Sequence, residues 1–330
     1  MWYKKISKDS DVVVSSRVRF ARNISGYKFP GILSCYELNK IIELIEKNID
    51  KSKYKIFKMS DIDEITQISL KEKNLISKEL LKNTYGAIVV NDDNSLICMV
   101  NEEDHLRIQV FEAGFNIEKC YKKILDFSKE LEQKIDFSKS YEYGYLTTCP
   151  TNVGSGMRVS VMLHLPALKK VGMISEVLEQ VSSIGFSVRG IYGENSNSIG
   201  NMYQISNRKT LGMTDKEIIE NLKTVIVSVI ESERKARNLL KKDISFIDEV
   251  YRAYGILKNA RVVSSIEAMK LLSVIRLGVA ADILKEVNLD TVQSLMIEIH
   301  SNTLKLITKQ NYDEDGEDII RANYIRKVMM

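Results

Sequence analysis

Cysteine, proline and histidine are scarce in this chain of 330 residues: four, three and three, respectively. The cysteines, Cys35, Cys98, Cys120 and Cys149, stand far apart, and no pair has metal-ligand or redox-motif spacing. A disulfide scaffold is thereby excluded, and a reducing cytoplasm is the expected setting. So few prolines, with sixteen glycines, exclude collagen-like and low-complexity chains. His105, His164 and His300 leave little for metal chemistry, and no metal site is expected. No apolar run reaches the ~18 residues of a membrane span, and none follows Lys4 and Lys5. Neither a membrane anchor nor a secretory signal is expected. An excess of one charge is missing too. The 48 basic and 44 acidic side chains leave +4, evenly spread, which argues against nucleic acid or an anionic membrane as partner.

Several nucleotide and metal motifs are also absent. There is no Gly-x-x-x-x-Gly-Lys-Ser/Thr loop, no Gly-x-Gly-x-x-Gly fingerprint and no His-Glu-x-x-His pair. The catalytic loop of the usual protein kinases is missing as well.

What remains is an ordinary globular composition, 44% apolar and 28% charged, long enough for two domains. Val12-Val13-Val14 leads into Arg17, Arg19 and Arg22, which reads as a short strand opening into a loop. Leu38, Ile41, Ile42 and Ile45 share one face of a helix over 36–49. Apolar runs at 86–91 and 95–101, around Asn91-Asp92-Asp93-Asn94, predict a hairpin. Helices are expected at about 116–135 and 173–184, with strands in the second half of 144–166 and at 186–192 and 199–206. Thr214 followed by Glu217 is a capping-box pattern and opens a helix reaching about Leu240. Beyond it the chain reads as helix at 245–254, 264–275, 278–286, 290–299 and 317–328. The acidic run from Asp313 to Asp318 reads as a solvated loop before the last helix. The expected division is a mixed part, 1–235, and an all-α part, 236–330. No internal repeat is visible.

Chemistry-bearing residues gather at turns and strand ends. Arg17 and Arg19, at i and i+2 of a strand, point the same way. Arg107, Arg158 and Arg189 sit in similar settings. Arginine forks bind phosphate oxygens bidentately and stay charged, yet five scattered arginines also fit ordinary surface ion pairs. Glu102-Glu103-Asp104 is either a charged loop or a carboxylate projecting into a cleft between arginine-bearing elements. Glu194 reads as an acidic turn residue, and Cys149 as a small buried side chain unless its context says otherwise.

Three ordered blocks give that context: Ser15-Ser16-Arg17-Val18-Arg19, Asn101-Glu102-Glu103-Asp104-His105-Leu106-Arg107, and the stretch from Cys149 to Arg158. They resemble the catalytic domain of the phosphagen kinases, the ATP:guanidino phosphotransferases. The match is closest to the bacterial branch that phosphorylates arginine side chains of proteins. Val188 to Glu194, Tyr203 to Asn207, His164 to Leu168 and Val250 to Gly255 have counterparts there. An arginine block as early as residue 15, with helices after the kinase part, also suits that branch.

The resemblance implies an α+β fold, an antiparallel sheet flanked by helices, followed by a smaller all-α domain. It implies transfer of the ATP γ-phosphoryl group to a guanidinium nitrogen, with Mg²⁺ carried mainly by the phosphates. It assigns Glu103 and Glu194 as catalytic carboxylates and Cys149 as the cysteine near the guanidinium. It assigns Ser15, Ser16, Arg17, Val18, Arg19, Arg107, Arg158, Val159, Ser160, Arg189 and Gly190 to the nucleotide. A homodimer, protein substrates with exposed arginines, an activator protein, a heat-shock repressor, delivery to a Clp ATPase and a part in the stress response follow by the same resemblance. A kinase for free arginine or another small guanidino compound, or a non-catalytic adaptor, is the alternative reading.

Two positions depart from the family pattern. Asn74 replaces a histidine on the nucleotide side. In the helical part, where the branch carries Arg-Asp-x-x-Arg-Ala for phosphoarginine docking, Asp318 and Arg321 are kept but Glu317 replaces the first arginine. A carboxylate facing a dianionic phosphate is repulsive, so weak or absent docking is expected at Asp318 and Arg321.

Overall fold

The computed structural model describes residues 1–190, 198–310, 312 and 314–330. In chain order its elements begin with β1 (Val13–Arg22), α1 (Cys35–Asn48), β2 (Tyr54–Lys58), α2 (Glu64–Glu72) and α3 (Lys78–Leu81). Next come β3 (Ala87–Asn91), β4 (Leu96–Val100), β5 (Leu106–Ala113), α4 (Ile117–Glu132), β6 (Lys139–Ser140), β7 (Gly144–Tyr145) and β8 (Met157–His164). The mixed part closes with α5 (Pro166–Lys170), α6 (Ile174–Ser183), β9 (Phe186–Gly190), β10 (Met202–Asn207) and α7 (Asp215–Leu240). Helices α8 (Ile244–Asn259), α9 (Ser265–Ala280), α10 (Leu289–Glu298), α11 (Ser301–Thr308) and α12 (Glu314–Met329) complete the chain.

Eight strands form one antiparallel sheet in the order β2-β3-β4-β5-β1-β8-β10-β9, while β6 and β7 pair separately. Residues 12–23 are therefore not a short strand running into a loop. They hold a ten-residue central strand, paired on both sides by β5 and β8. The alternation explains it: Val18 and Phe20 face the core, while Arg17 and Arg19 take the opposite face. Charged residues every second position do not break a strand when one face is a functional surface. Behind the sheet, α4 lies on β1 and β5, and α7 on β8 and β10. Val18, Ile108, Val110, Val159, Val161 and Ile205 are buried under those helices.

Thr214 and Glu217 make the expected reciprocal cap, and α7 runs unbroken across position 235. The expected helix at 278–286 does not form. Helix α9 ends at Ala280, Asp282 adopts a left-handed backbone (φ 58°), and the Ile283 N–H bonds back to the Gly278 carbonyl. Helix α11 was not legible in the sequence, because its cap comes from elsewhere in the chain. Glu72, at the end of α2, accepts from the N–H groups of Asn302 (3.1 Å) and Thr303 (2.8 Å). The last helix begins slightly earlier than expected, at Glu314. Glu317 and Asp318 lie in helix α12 and pair with Arg321.

The helical part is fastened to the sheet by a buried polar network. Fully buried Arg276 of α9 donates to the Ser10 carbonyl (2.6 Å) and to His164 Nδ1 (2.9 Å) at the end of β8. An arginine donating to Nδ1 leaves the proton of the neutral ring on Nε2, which lies 2.8 Å from Ser273 Oγ.

Candidate active site

The strand register builds one polar face. Arg19 stands opposite Gln109 on β5 and Arg158 on β8, and Arg17 opposite Phe111 and Ser160. Arg107 lies two residues before Gln109 and so shares this face. Gln204 of β10 stands opposite both Met162 and Arg189. Hydroxyls and amides hold the guanidinium groups. Arg17 donates to Ser160 Oγ (3.2 Å) and Gln204 Oε1 (2.7 Å), and Arg158 to Ser206 Oγ (3.1 Å). Exposed Arg189 and the last β9 residue, Gly190, border the face at the sheet edge.

The cations outnumber their counter-charges. Burial, followed by repulsion from Arg107 and Arg158, pulls Arg17 down to about 9. Burial and the charges of Arg17, Arg107 and Arg158 push Arg19 well below its usual range, with only Glu102 opposing. Arg158 is lowered by burial and by Arg189 and Arg107. The buried Nε atoms of Arg19 and Arg158 meet no hydrogen-bond partner among the described residues. Convergent, under-neutralised guanidinium groups with orphaned donors suit a polyanion such as a triphosphate.

Acidic chemistry adjoins this face. A cavity of about 140 Å³ is lined by Arg19, Arg107 and Arg158 together with Glu103, Cys149 and Thr151. Burial, then the charges of Asp104 and Glu102, raises the Glu103 carboxyl above its usual range. Glu102, buried, bonds Arg107 Nη1 through one oxygen (2.5 Å) and accepts the Glu103 N–H through the other (2.9 Å). Thr148 ties the two loops together. Its N–H donates to Asp104 Oδ1 (2.7 Å) and its hydroxyl to the Glu103 carbonyl (2.8 Å). Cys149 Sγ lies 3.0 Å from Thr151 Oγ1. Among the described residues no cluster of three metal-ligating side chains exists.

Not every expected residue reaches this face. Ser15 and Ser160 lie on it by register. Ser16, Val18 and Val159 point into the core, and the Val159 N–H is taken by Asn207 Oδ1 (2.8 Å). Glu194 lies outside the described residues. Asn74 has a left-handed backbone (φ 58°), and its neighbour Leu75 offers its carbonyl to Gln109 (2.5 Å). Glu102, Thr148, Gln204 and Ser206 were missed as contributors. Glu102 had a sequence signal, lying in the acidic triplet five residues before Arg107, and Gln204 and Ser206 lie in the matched block from Tyr203 to Asn207. In the helical part, Arg321 is fully buried and bound by Glu317, Asp318 and the carbonyls of Ile299 and Val263.

A sheet face of converging arginines with an adjacent carboxylate, Glu103, defines a phosphoryl-transfer enzyme. The chain belongs to the ATP:guanido phosphotransferase family, whose C-terminal catalytic domain matches residues 37–236. A second family, the protein-arginine kinase McsB C-terminal domain, matches residues 243–330. The chain is 40% identical to a protein-arginine kinase of Clostridium tetani, covering 99% of this chain and 97% of that one. It is 42% identical to one from Caldanaerobacter subterraneus subsp. tengcongensis, covering 96% of each. Among solved structures, the duplicated taurocyamine kinase from Schistosoma mansoni with bound transition state analog components superposes with a TM-score of 0.61. That likeness has 27% identity over 68% of this chain and 33% of that one. Lombricine kinase shares the fold, with a TM-score of 0.60 at 21% identity over 70% of each chain. The enzyme is a guanidino phosphotransferase. No helix among the described residues is long and apolar enough to cross a membrane.

Proposed function

We propose that this protein transfers the γ-phosphoryl group of ATP to arginine side chains of other proteins. The observation that carries the reading is the single cavity lined by Glu103 and Cys149 together with Arg19, Arg107 and Arg158. In the reaction a guanidinium nitrogen forms a bond to γ-phosphorus, the bond to the β–γ bridging oxygen breaks, and ADP leaves with that electron pair. One N–H proton must be lost from a group whose pKa exceeds 12. Glu103, made more basic by burial and by its acidic neighbours, orients the planar fork and accepts that proton. Glu194 takes the second carboxylate position on the strength of its sequence match. Cys149 stands beside the guanidinium, its sulfur 3.0 Å from the Thr151 hydroxyl.

Arg17, Arg19, Arg107, Arg158 and Arg189 hold the phosphates and stabilise the equatorial oxygens of a loose in-line transition state. Mg²⁺, carried on the nucleotide, neutralises the phosphates. Ser15, Ser160 and Gly190 assist the nucleotide on the strength of their sequence match. The same proposal includes a catalytic part to about residue 235, a helical docking and dimerisation part after it, and a cytoplasmic homodimer. It also includes action on a heat-shock repressor, an activator partner and marking of stress-damaged proteins for a Clp ATPase. Motif resemblance supports these. The pairing of Arg321 with Glu317 and Asp318 supports a closed phosphoarginine docking site.

The test is intact-mass analysis of an unfolded, arginine-rich protein incubated with the enzyme, ATP and Mg²⁺, beside Glu103→Ala and beside free arginine. Acid-labile phosphate on the protein, absent with the variant, is the expected result. Transfer to free arginine alone would move the activity to small guanidino substrates.

A further inference from the structure

A second cavity, of about 400 Å³, opens between the ends of β9 and β10 and the first turns of α7. Phe186, Met213, Ile218 and Val225 give it an apolar lining, and Arg208 and Lys209 stand on its rim. Both cations are exposed, and neither has an ion pair among the described residues. Ile184, also lining the cavity, and nearby Leu211 are 63% and 53% exposed, so apolar surface continues outward from the cavity. The rim is joined to the candidate active site. Thr210, between Lys209 and Leu211, donates to the carbonyls of Thr151 (3.0 Å) and Val153 (2.7 Å). Thr151 itself lines the cavity of Glu103 and Cys149. One pair of loops therefore walls both spaces.

We propose that this groove receives the stretch of an unfolded protein substrate flanking the target arginine, taking a large apolar side chain beside an acidic one. The inference rests on the reading that proteins are the substrates, and it adds a preference for sequence around the arginine. Charge and continuity select this occupant. Two cations without an ion pair among the described residues call for carboxylates, and an apolar floor calls for an aliphatic or aromatic side chain. A chain whose arginine reaches Cys149 can pass over Leu211 into the groove.

The test compares single-arginine peptides carrying Leu-Glu or Ser-Lys at stepped distances on either side of the arginine, with N-acetylarginine amide as a substrate too small to reach the groove. The wild-type enzyme should favour the best-spaced Leu-Glu peptide roughly tenfold in kcat/KM, with part of the preference lost at high salt. Arg208→Glu combined with Lys209→Glu, and separately Thr224→Trp on the exposed face of α7, should abolish that preference. KM for ATP and turnover of the small substrate should stay at wild-type values. Activity with no peptide preference, or a preference that survives both variants, would overturn the groove while leaving the kinase intact. A changed oligomeric mass of the variants by light scattering would reassign the groove as a contact between copies and overturn it likewise. Transfer to none of these substrates would overturn both readings.

Discussion

Arg19 offers a test in which activity and stability should move in opposite directions. It lies half-buried among Arg17, Arg107 and Arg158, with Glu102 as the one carboxylate that favours its charge. Neighbouring positions on adjacent strands lie about 5–8 Å apart. At an effective dielectric near 20, each like-charged neighbour then costs ~2–3 kcal/mol. Glu102 offsets about one of the three, and solvent screens much of the remainder, which leaves about 1–2 kcal/mol of strain in the nucleotide-free protein. Arg19→Met keeps the apolar stem and removes the charge. For a chain of this size the melting temperature should rise by about 2–3 °C. Phosphoryl transfer should fall ~10²–10³-fold, as for loss of one donor to a developing oxyanion. The stabilisation that the wild type gains from Mg-ADP should shrink in the variant, because the anion no longer relieves the same repulsion. Thermal melts with and without nucleotide, beside a phosphate-transfer assay, read all three. A variant that melts lower while losing activity would show that Arg19 supports the fold, and full activity would remove it from the phosphate site.

Three further outcomes follow from the same electrostatics. Glu103 must be ionised to accept a proton and its pKa is raised, so kcat/KM should fall with decreasing pH at a value above that of an ordinary glutamate. Glu102→Gln removes a negative neighbour and should move that acid limb to lower pH; an unmoved limb would exclude Glu103 as the base. Glu317→Ala should cost about 1–3 kcal/mol, because Arg321 is fully buried and loses one of two counter-charges. The same change should raise retention on immobilised phosphoarginine from a low wild-type level, and strong retention of the wild type would refute the closed site. Glu233 accepts from the N–H groups of Ala167 and Leu168 at the start of α5, and burial lifts its carboxyl from 4.5 to about 7. A raised folded-state value contributes stability that is complete below pH 4.5 and lost as pH rises through about 7, on the order of 3 kcal/mol in all. The wild-type melting temperature measured against Glu233→Gln should therefore decline across that window, and a constant difference would show that Glu233 does not titrate there.

Much of this protein was readable as linear pattern. Capping box, helix periodicity and the hairpin around Asn91 to Asn94 depend on neighbours within a few residues, so they can be read locally. The ordered motif blocks carried the family and the identities of Arg17, Arg19, Glu103, Cys149 and Arg158. Convergence was not readable. Arg19 meets Arg158 only because β1 pairs with β8, across 139 positions of chain. The same pairing turned a presumed loop into the central strand. Helix α11 was hidden because its cap is Glu72, supplied from α2. The role of Glu102 in holding Arg107, the clamp of Thr148 between two loops, and the burial of Arg321 against the carbonyls of Ile299 and Val263 likewise depend on tertiary placement. Local spacing determines which face a side chain takes within its own element. Which charges end up sharing that face, and whether their number leaves room for an anion, is decided by strand order and register. Repulsion and desolvation act through space, at distances that only the folded chain sets.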